Sequence, residues 1–337
     1  MTTVVARAPG RVNIIGDHTD YTGGLCLPMA IDRGVIVEGR RLPGDVVRLT
    51  SESEEEPAVV PLDASDPASV EPAWARFVAG VVAQVRPADG FDGRIRTTLP
   101  VGVGLSSSAA LEVAVALALG ADDSDPVALA RQCQAAEHAA RGVPTGILDQ
   151  IASICGVAGH ALLLDCHTVS VTPVPLPPPD VAEWVVLAPT DSRDLAASGY
   201  STRVAQLARA EAEIGPLRLA GVDDIGGITD PIVRRRARHV VTENGRVRSF
   251  AEAITAGDLA GAGALMNESH ASLRDDFESS TRAIDELCAE LAATDGVFGV
   301  RITGGGWGGC AIALTRPGVL AGRDGAWVVS PSAGASR

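Results

Sequence analysis

Residues 11–24, RVNIIGDHTDYTGG, set a strand-like run (Val12-Asn13-Ile14-Ile15) ahead of Gly16. Asp17, His18, Thr19, Asp20 and Tyr21 then follow in succession. Five hydrogen-bonding side chains in a row do not build a core. The segment reads as holding a metal, a water or a small polar ligand. Asp17 and Asp20 could instead close Asx-turns. A metal triad of Asp17, His18 and Asp20 is a weak signature, because mixed ligands this close in sequence rarely match a metal's geometry.

A second stretch, LPVGVGLSSSAALEVAVALAL (residues 99–119), ends a strand, passes Gly102 and Gly104, presents three serines and enters an apolar helix. Free N–H groups and the positive end of the dipole at a helix start attract anions. Serine hydroxyls bind phosphate or a hard metal ion. The competing reading is an N-capped buried helix after a glycine turn. A third stretch, TGGGWGGC (residues 303–310), holds five glycines. Each costs backbone entropy on folding, and a turn needs one or two. Close approach of backbone to a ligand or another loop accounts for the rest, against a bulged hairpin with a flexible tip. Between these stretches lie Glu137 and Asp149. Taken locally, Glu137 is a surface i,i+4 partner of Arg141. Asp149 lies off the apolar stripe Ile147, Leu148, Ile151, Ile154 and reads as a solvated or dipole-favoured carboxylate.

The elements that must position these groups belong to a chain of 337 residues, enough for two domains or one large one. Apolar residues make up 46% and aromatics 3%, so Val, Leu, Ile and Ala carry the core. The net charge of −14 disfavours nucleic acid and anionic membranes as partners. All 28 basic residues are arginine. Without lysine there is no Schiff base, no lysine nucleophile and no Walker-A phosphate loop. The six cysteines are scattered without a C-x-x-C pair, which reads as reduced thiols in a cytoplasmic protein. The N-terminus lacks a signal-peptide core, and the apolar run 109–121 is too short to span a bilayer.

The pattern predicts two short strands around Pro9-Gly10 and further strands through residues 25–40 and 93–99. SESEEEP (51–57) is an acidic surface loop. Helices are predicted over 109–119, 127–141 and about 146–156, the second stopped by Gly142 and Pro144. HALLLDC is a strand, and PVPLPPPD (173–180) is a linker or edge segment, since proline suits neither helix nor central strand. Another strand over 184–188, long Ala/Arg/Glu-rich helices and a strand–glycine turn–strand follow. The tail PSAGASR is expected to fray.

Taken in order, PGRVNIIGDHTDYTGG, PVGVGLSSSAALEVA, GILDQIASICGVAGHALLLDC and TGGGWGGCAIAL resemble the signature segments of the GHMP sugar kinases, most closely the galactokinase branch. RRRARHVVTENGRV and NESHASLRDDFE look similar too. The likeness runs from about residue 6 to 315. It implies a two-domain α+β fold with the active site in the interdomain cleft, divided into residues 1–175 and 176–337. It also implies ATP-dependent phosphorylation of the anomeric hydroxyl of galactose. By the same likeness Asp149 matches the catalytic aspartate and Arg11 the arginine beside it. Gly102, Val103, Gly104, Leu105, Ser106, Ser107 and Ser108 match the phosphate loop, and Ser108 and Glu137 the Mg²⁺ ligands. Asp17, His18, Thr19, Asp20, Gly146 and Tyr200 match sugar-contacting positions. The implied partners are the sugar and ATP, with no nucleic acid or membrane and a monomer or weak homo-oligomer. Asp17 stands where the family usually has glutamate, and Thr22 where it has asparagine. A 1-kinase for an N-acetylated or 6-modified galactose, and a non-catalytic sugar and ATP sensor, are the alternatives.

Overall fold

The computed structural model describes residues 3–100, 104–142, 145–188 and 196–337, with backbone alone at 196–198. In the first half β1 (Val4–Asn13), β2 (Leu25–Cys26), β3 (Pro28–Leu42), β4 (Val46–Ser51) and β5 (Ala58–Pro61) precede α1 (Ala75–Val85) and β6 (Gly90–Thr97). Then come α2 (Ser107–Leu119), α3 (Pro126–Arg141), α4 (Leu148–Cys155), β7 (His160–Asp165) and β8 (Ser170–Pro175). The second half holds β9 (Glu183–Leu187), α5 (Ala196–Ile214), α6 (Pro231–Thr255), α7 (Leu259–Ser272), α8 (Arg282–Ala292), β10 (Val297–Thr303), β11 (Cys310–Thr315) and β12 (Ala326–Val329).

Three sheets carry the molecule. A five-stranded sheet runs β1-β3-β6-β4-β5, antiparallel except where β4 meets β6. A three-stranded sheet runs β2-β7-β8 and a four-stranded one β10-β11-β9-β12. The architecture is α+β. The segments predicted around Pro9-Gly10 are one strand with an irregularity between Pro9 and Arg11, which lets β1 pair with β3 on both sides of it. The proline-rich segment is partly β8, an edge strand, where Pro173 and Pro175 interrupt no second ladder.

Helix α2 is apolar nearly all round and buried along its length. It packs in one core with Val12, Val35 and Val81. A second core gathers Val185, Leu207, Val240, Phe277 and Ile302. Side-chain caps start α3 (Asp125), α6 (Asp230), α7 (Asp258) and α8 (Thr281). None caps α2.

The tail does not fray. Strand β1 lies at a sheet edge with main-chain groups open for pairing. Ser336 exchanges two hydrogen bonds with Arg7, at 2.8 and 2.9 Å. Ser332 N–H donates to Ala30, Gly334 to Gly156 and Ala335 to Ser153, while Arg337 pairs with Asp123. A net hydrogen bond contributes about 1 kcal/mol, and each kcal/mol moves the melting point of a large domain by roughly 2–4 °C. Deleting residues 331–337 is therefore expected to lower the thermal midpoint by at least about 4 °C. An unchanged midpoint by calorimetry would contradict the docking.

Candidate active site

A cavity of about 1000 Å³ opens between the N-terminus of α2, the first turn of α4, residues 17–20 and the glycine-rich turn between β10 and β11. Most residues singled out in the sequence line it. Gly102 and Val103 lie outside the described residues.

At one end sits the start of α2. Its N-cap, Ser106, is left-handed (φ 56°), and its hydroxyl turns away from the helix to donate to Asp149 Oδ2. Ser108 Oγ donates to Glu137 Oε1 at 3.2 Å. With these hydroxyls engaged elsewhere, the first N–H groups of α2 have no side-chain cap, at the mouth of a polar cavity. That arrangement suits an anion. Gly104 lines the same end, and its carbonyl accepts from Arg11 Nη1 at 2.8 Å.

Glu137 departs from its local reading. The pair with Arg141 forms at 3.2 Å, but Glu137 is 4% exposed. It also accepts from Thr145 Oγ1 (2.8 Å) and Gln150 Nε2 (3.0 Å). Packing of α3 against the neighbouring helices turns a predicted surface carboxylate inward. Arg141 meets Ser108 Oγ as well, at 3.1 Å. A guanidinium thus lies where a serine and a glutamate oxygen stand 3.2 Å apart. Two hard oxygens at that spacing fit a Mg²⁺ ion that takes its other ligands from phosphate and water.

Asp149 is partly exposed and bound at both oxygens. Arg11 Nε and Nη2 reach Oδ1 at 2.7 and 2.6 Å, and Ser106 takes Oδ2. The carboxylate is not simply solvated, as its place off the apolar stripe suggested. It is held in the wall of the cavity at a fixed angle.

At the other end lie Asp17, His18, Asp20, Gly146 and Tyr200. Asp17 is buried, and burial pushes its carboxyl up against the opposing effect of Arg301. Its Oδ2 lies 2.6 Å from Arg301 Nη2, and Oδ1 accepts from Gly304 N–H at 3.2 Å. His18 has φ 65° and stacks on Phe277 with ring centroids 4.4 Å apart. Asp20 rests against Gly146, where a Cβ would fall 1.5 Å from Asp20 Oδ2, so glycine alone fits. Burial, followed by the charges of Asp149 and Asp17, raises Asp20 to about 7. Tyr200 packs against Tyr21 at 5.4 Å. Thr19 does not join them. It is fully buried and its hydroxyl is spent on the Gly16 and Leu25 carbonyls, at 2.9 and 2.7 Å, so it shapes the turn that presents its neighbours.

The glycine-rich turn is not a loose tip. At Gly306 (φ 85°) a Cβ would meet the Ser279 carbonyl at 2.5 Å. Trp307 N–H donates to that carbonyl at 2.6 Å, and its indole lies under the Arg203 guanidinium and beside His18. Arg301 and Glu112 escaped the sequence reading. The signal for both was a charge inside an apolar run, in VFGVRIT and AALEVAVALAL. Arg301 is fully buried. Glu112 is too, raised well above the carboxylate range by burial and Glu137, and it accepts from Gln150.

Comparison with known proteins identifies the family. The galactokinase galactose-binding signature matches residues 2–41, the GHMP kinase N-terminal domain 75–157 and the GHMP kinase C-terminal domain 250–322. Human galactokinase is 41% identical over 325 residues, spanning 91% of this chain and 82% of its own length. Galactokinase of Mycobacterium tuberculosis (strain H37Rv) is 41% identical, with 93% and 89% covered. The crystal structure of Lactococcus lactis galactokinase complexed with galactose superposes with a TM-score of 0.91 at 31% identity, covering 99% of this chain and 95% of that one. A mevalonate kinase at 16% identity and a TM-score of 0.69 shares the fold.

Asp20 makes the site sensitive to pH. With its folded pKa raised to about 7 from 3.8, the folded protein keeps a proton in this window that the unfolded chain has lost. Stability therefore falls as pH rises through the window. Asp20→Asn removes that loss. Its melting temperature relative to the native protein is expected to climb from about pH 5 to about pH 8. A difference constant across pH in thermal denaturation would contradict the assignment.

Proposed function

This chain belongs to the galactokinase family of the GHMP kinases, and we propose that it transfers the γ-phosphoryl group of ATP to the anomeric 1-hydroxyl of galactose. The observation that carries the proposal is the position of Asp149. Its carboxylate lies in the wall of one cavity, which has an uncapped helix N-terminus at one end and the Asp17, His18 and Asp20 cluster at the other.

The chemistry follows from that arrangement. Phosphoryl transfer needs positioning and charge neutralisation more than covalent help. The N–H groups at the start of α2, with Gly104 to Ser108, receive the ATP phosphates. Gly102 and Val103 belong to the same loop in this reading. Asp17, His18, Asp20 and Tyr200 hold the sugar, with Gly146 giving Asp20 room. Asp149 accepts the proton of the anomeric hydroxyl as its oxygen attacks phosphorus. For this the sugar hydroxyl takes the place of Ser106 at Oδ2, while Arg11 keeps its hold on Oδ1 and adds positive charge beside the transferring group. A bound Mg²⁺ would be held by Ser108 and Glu137 and would supply further charge neutralisation. The serine segment and Asp149 together support catalysis over a silent sensor.

We divide the chain near residue 175, where β8 ends, into an N-terminal unit carrying Asp149 and both ligand clusters and a C-terminal unit carrying the glycine-rich turn. No helix among the described residues is long and apolar enough to cross a membrane. The scattered cysteines support a cytoplasmic enzyme, and the charge of −14 one that is monomeric or weakly self-associating and acts on small molecules away from nucleic acid.

ADP release across a monosaccharide panel tests the assignment. Galactose is expected to be the preferred acceptor, and no turnover of galactose would remove it as substrate. Asp149→Asn should remain folded and bind ATP while kcat drops by about 10³-fold or more, since general-base catalysis is worth about 10²–10⁴. Near-normal turnover would sink its role. Glu137→Gln should raise the Mg²⁺ concentration for half-maximal nucleotide binding by about tenfold, read by calorimetry. An unchanged requirement would return Glu137 to a structural role.

A further inference from the structure

The chain contains two tyrosines, and both pack beside His18. Tyr200 lines the cavity; Tyr21 does not. Tyr21 instead places its hydroxyl 3.0 Å from His18 Nδ1. We propose that Tyr21 is a positioning residue that fixes the Nε2–H tautomer of His18, so that His18 meets the sugar as a hydrogen-bond donor. The sugar as acceptor rests on the function proposed above; the tautomer does not.

Three observations lead there. First, the imidazole cannot reorient freely. It stacks on Phe277 at 29°, with Trp307 on edge 5.9 Å away, and its backbone is left-handed. Second, the ring is neutral. Burial first, then the neighbouring His239, Arg203 and Arg301, lower its pKa well below the usual value, against Glu243. Burial also keeps the Tyr21 phenol protonated. A neutral imidazole carries one proton, and the bond made by one nitrogen decides where it sits. Third, a tyrosine hydroxyl packed in the protein needs an acceptor. The polar atom beside Tyr21 Oη is His18 Nδ1. If Oη–H donates there, Nδ1 is the acceptor and the proton resides on Nε2.

Nε2 is buried with no hydrogen-bond partner among the described residues. Nδ1 is turned to a residue outside the cavity, which leaves Nε2 as the polar atom His18 can offer a ligand. The sugar pocket then combines a neutral donor at His18 with the Asp20 carboxyl, whose unprotonated oxygen accepts, and a hydroxyl can satisfy both. A pocket built to pair a hydroxyl discriminates against sugars lacking it, because its own polar groups are left unpaired. Tyr21 contributes to that selectivity without touching the sugar.

The direct test is ¹⁵N–¹H two-bond correlation NMR of histidine-labelled protein without sugar, with His18 assigned by the loss of its signal in His18→Gln. The expected result is a protonated Nε2 and an unprotonated Nδ1, changing to a mixed tautomer in Tyr21→Phe. A protonated Nδ1 in the native protein, or a pattern unchanged in Tyr21→Phe, overturns the proposal. In kinetics Tyr21→Phe should raise KM for galactose by about tenfold, the loss from one misdirected hydrogen bond. KM for ATP and kcat should stay within about threefold. An unchanged KM beside the expected spectrum overturns the donor role toward the sugar. If galactose proves not to be a substrate, the function fails while the spectrum still judges the tautomer.

Discussion

Arg11 joins three segments that lie far apart in the chain. It stands on β1, donates to the Gly104 carbonyl ahead of α2 and grips Asp149 in the first turn of α4. The irregularity between Pro9 and Arg11 lets β1 pair on both sides of this point. The side chain of Arg11 is 8% exposed and that of Asp149 27%, so the pair is neither a screened surface contact nor a wholly desolvated one. Without this hold, the carboxylate would keep only the Ser106 hydroxyl at Oδ2 against its acidic neighbours. The segment ahead of α2 and the Asp149 carboxylate share one cation, which ties two walls of the cavity together.

The same balance of charge explains the rest of the site. Asp149 has Arg11, Asp17 has Arg301 and Glu137 has Arg141. Each partner is an arginine because the chain contains no lysine, and a planar guanidinium holds a carboxylate at a fixed angle. The Asp17–Arg301 pair does a second job. Through the Gly304 N–H it fastens residues 17–20 to the turn between β10 and β11, so both halves of the chain contribute to this end of the cavity. Removing one partner of a buried pair costs about 3–5 kcal/mol, which makes Arg301 structural as much as functional. Asp17 lines the cavity while both of its oxygens are engaged by these contacts. Asp20 is the carboxylate of this group without an arginine ion pair among the described residues, so no such pair offsets the burial and the charges of Asp149 and Asp17 that raise its pKa.

Much of this was legible in the residues. The order of the four signature stretches, the apolar α2 and the edge position of the prolines all follow from local pattern. What escaped was set by tertiary packing. Glu137 has the spacing of a surface ion pair and becomes interior because neighbouring helices close over it. Thr19 sits among ligand-type side chains yet is turned inward by the Gly16 and Leu25 carbonyls. The polar tail resembled a frayed end, but the open edge of β1 gives its main chain somewhere to pair. Such outcomes depend on which elements become neighbours, and periodicity within one segment carries no record of that.

The central claim is that Arg11 holds Asp149 between the two ends of one cavity, facing the anomeric hydroxyl. A crystal structure with galactose and a non-hydrolysable ATP analogue tests it most directly. The predicted result has the anomeric oxygen within hydrogen-bond distance of Asp149, Arg11 still on its other oxygen, and the γ-phosphate at the N-terminus of α2. A sugar bound with its anomeric hydroxyl turned away from Asp149, or phosphates lodged away from α2, would contradict the account.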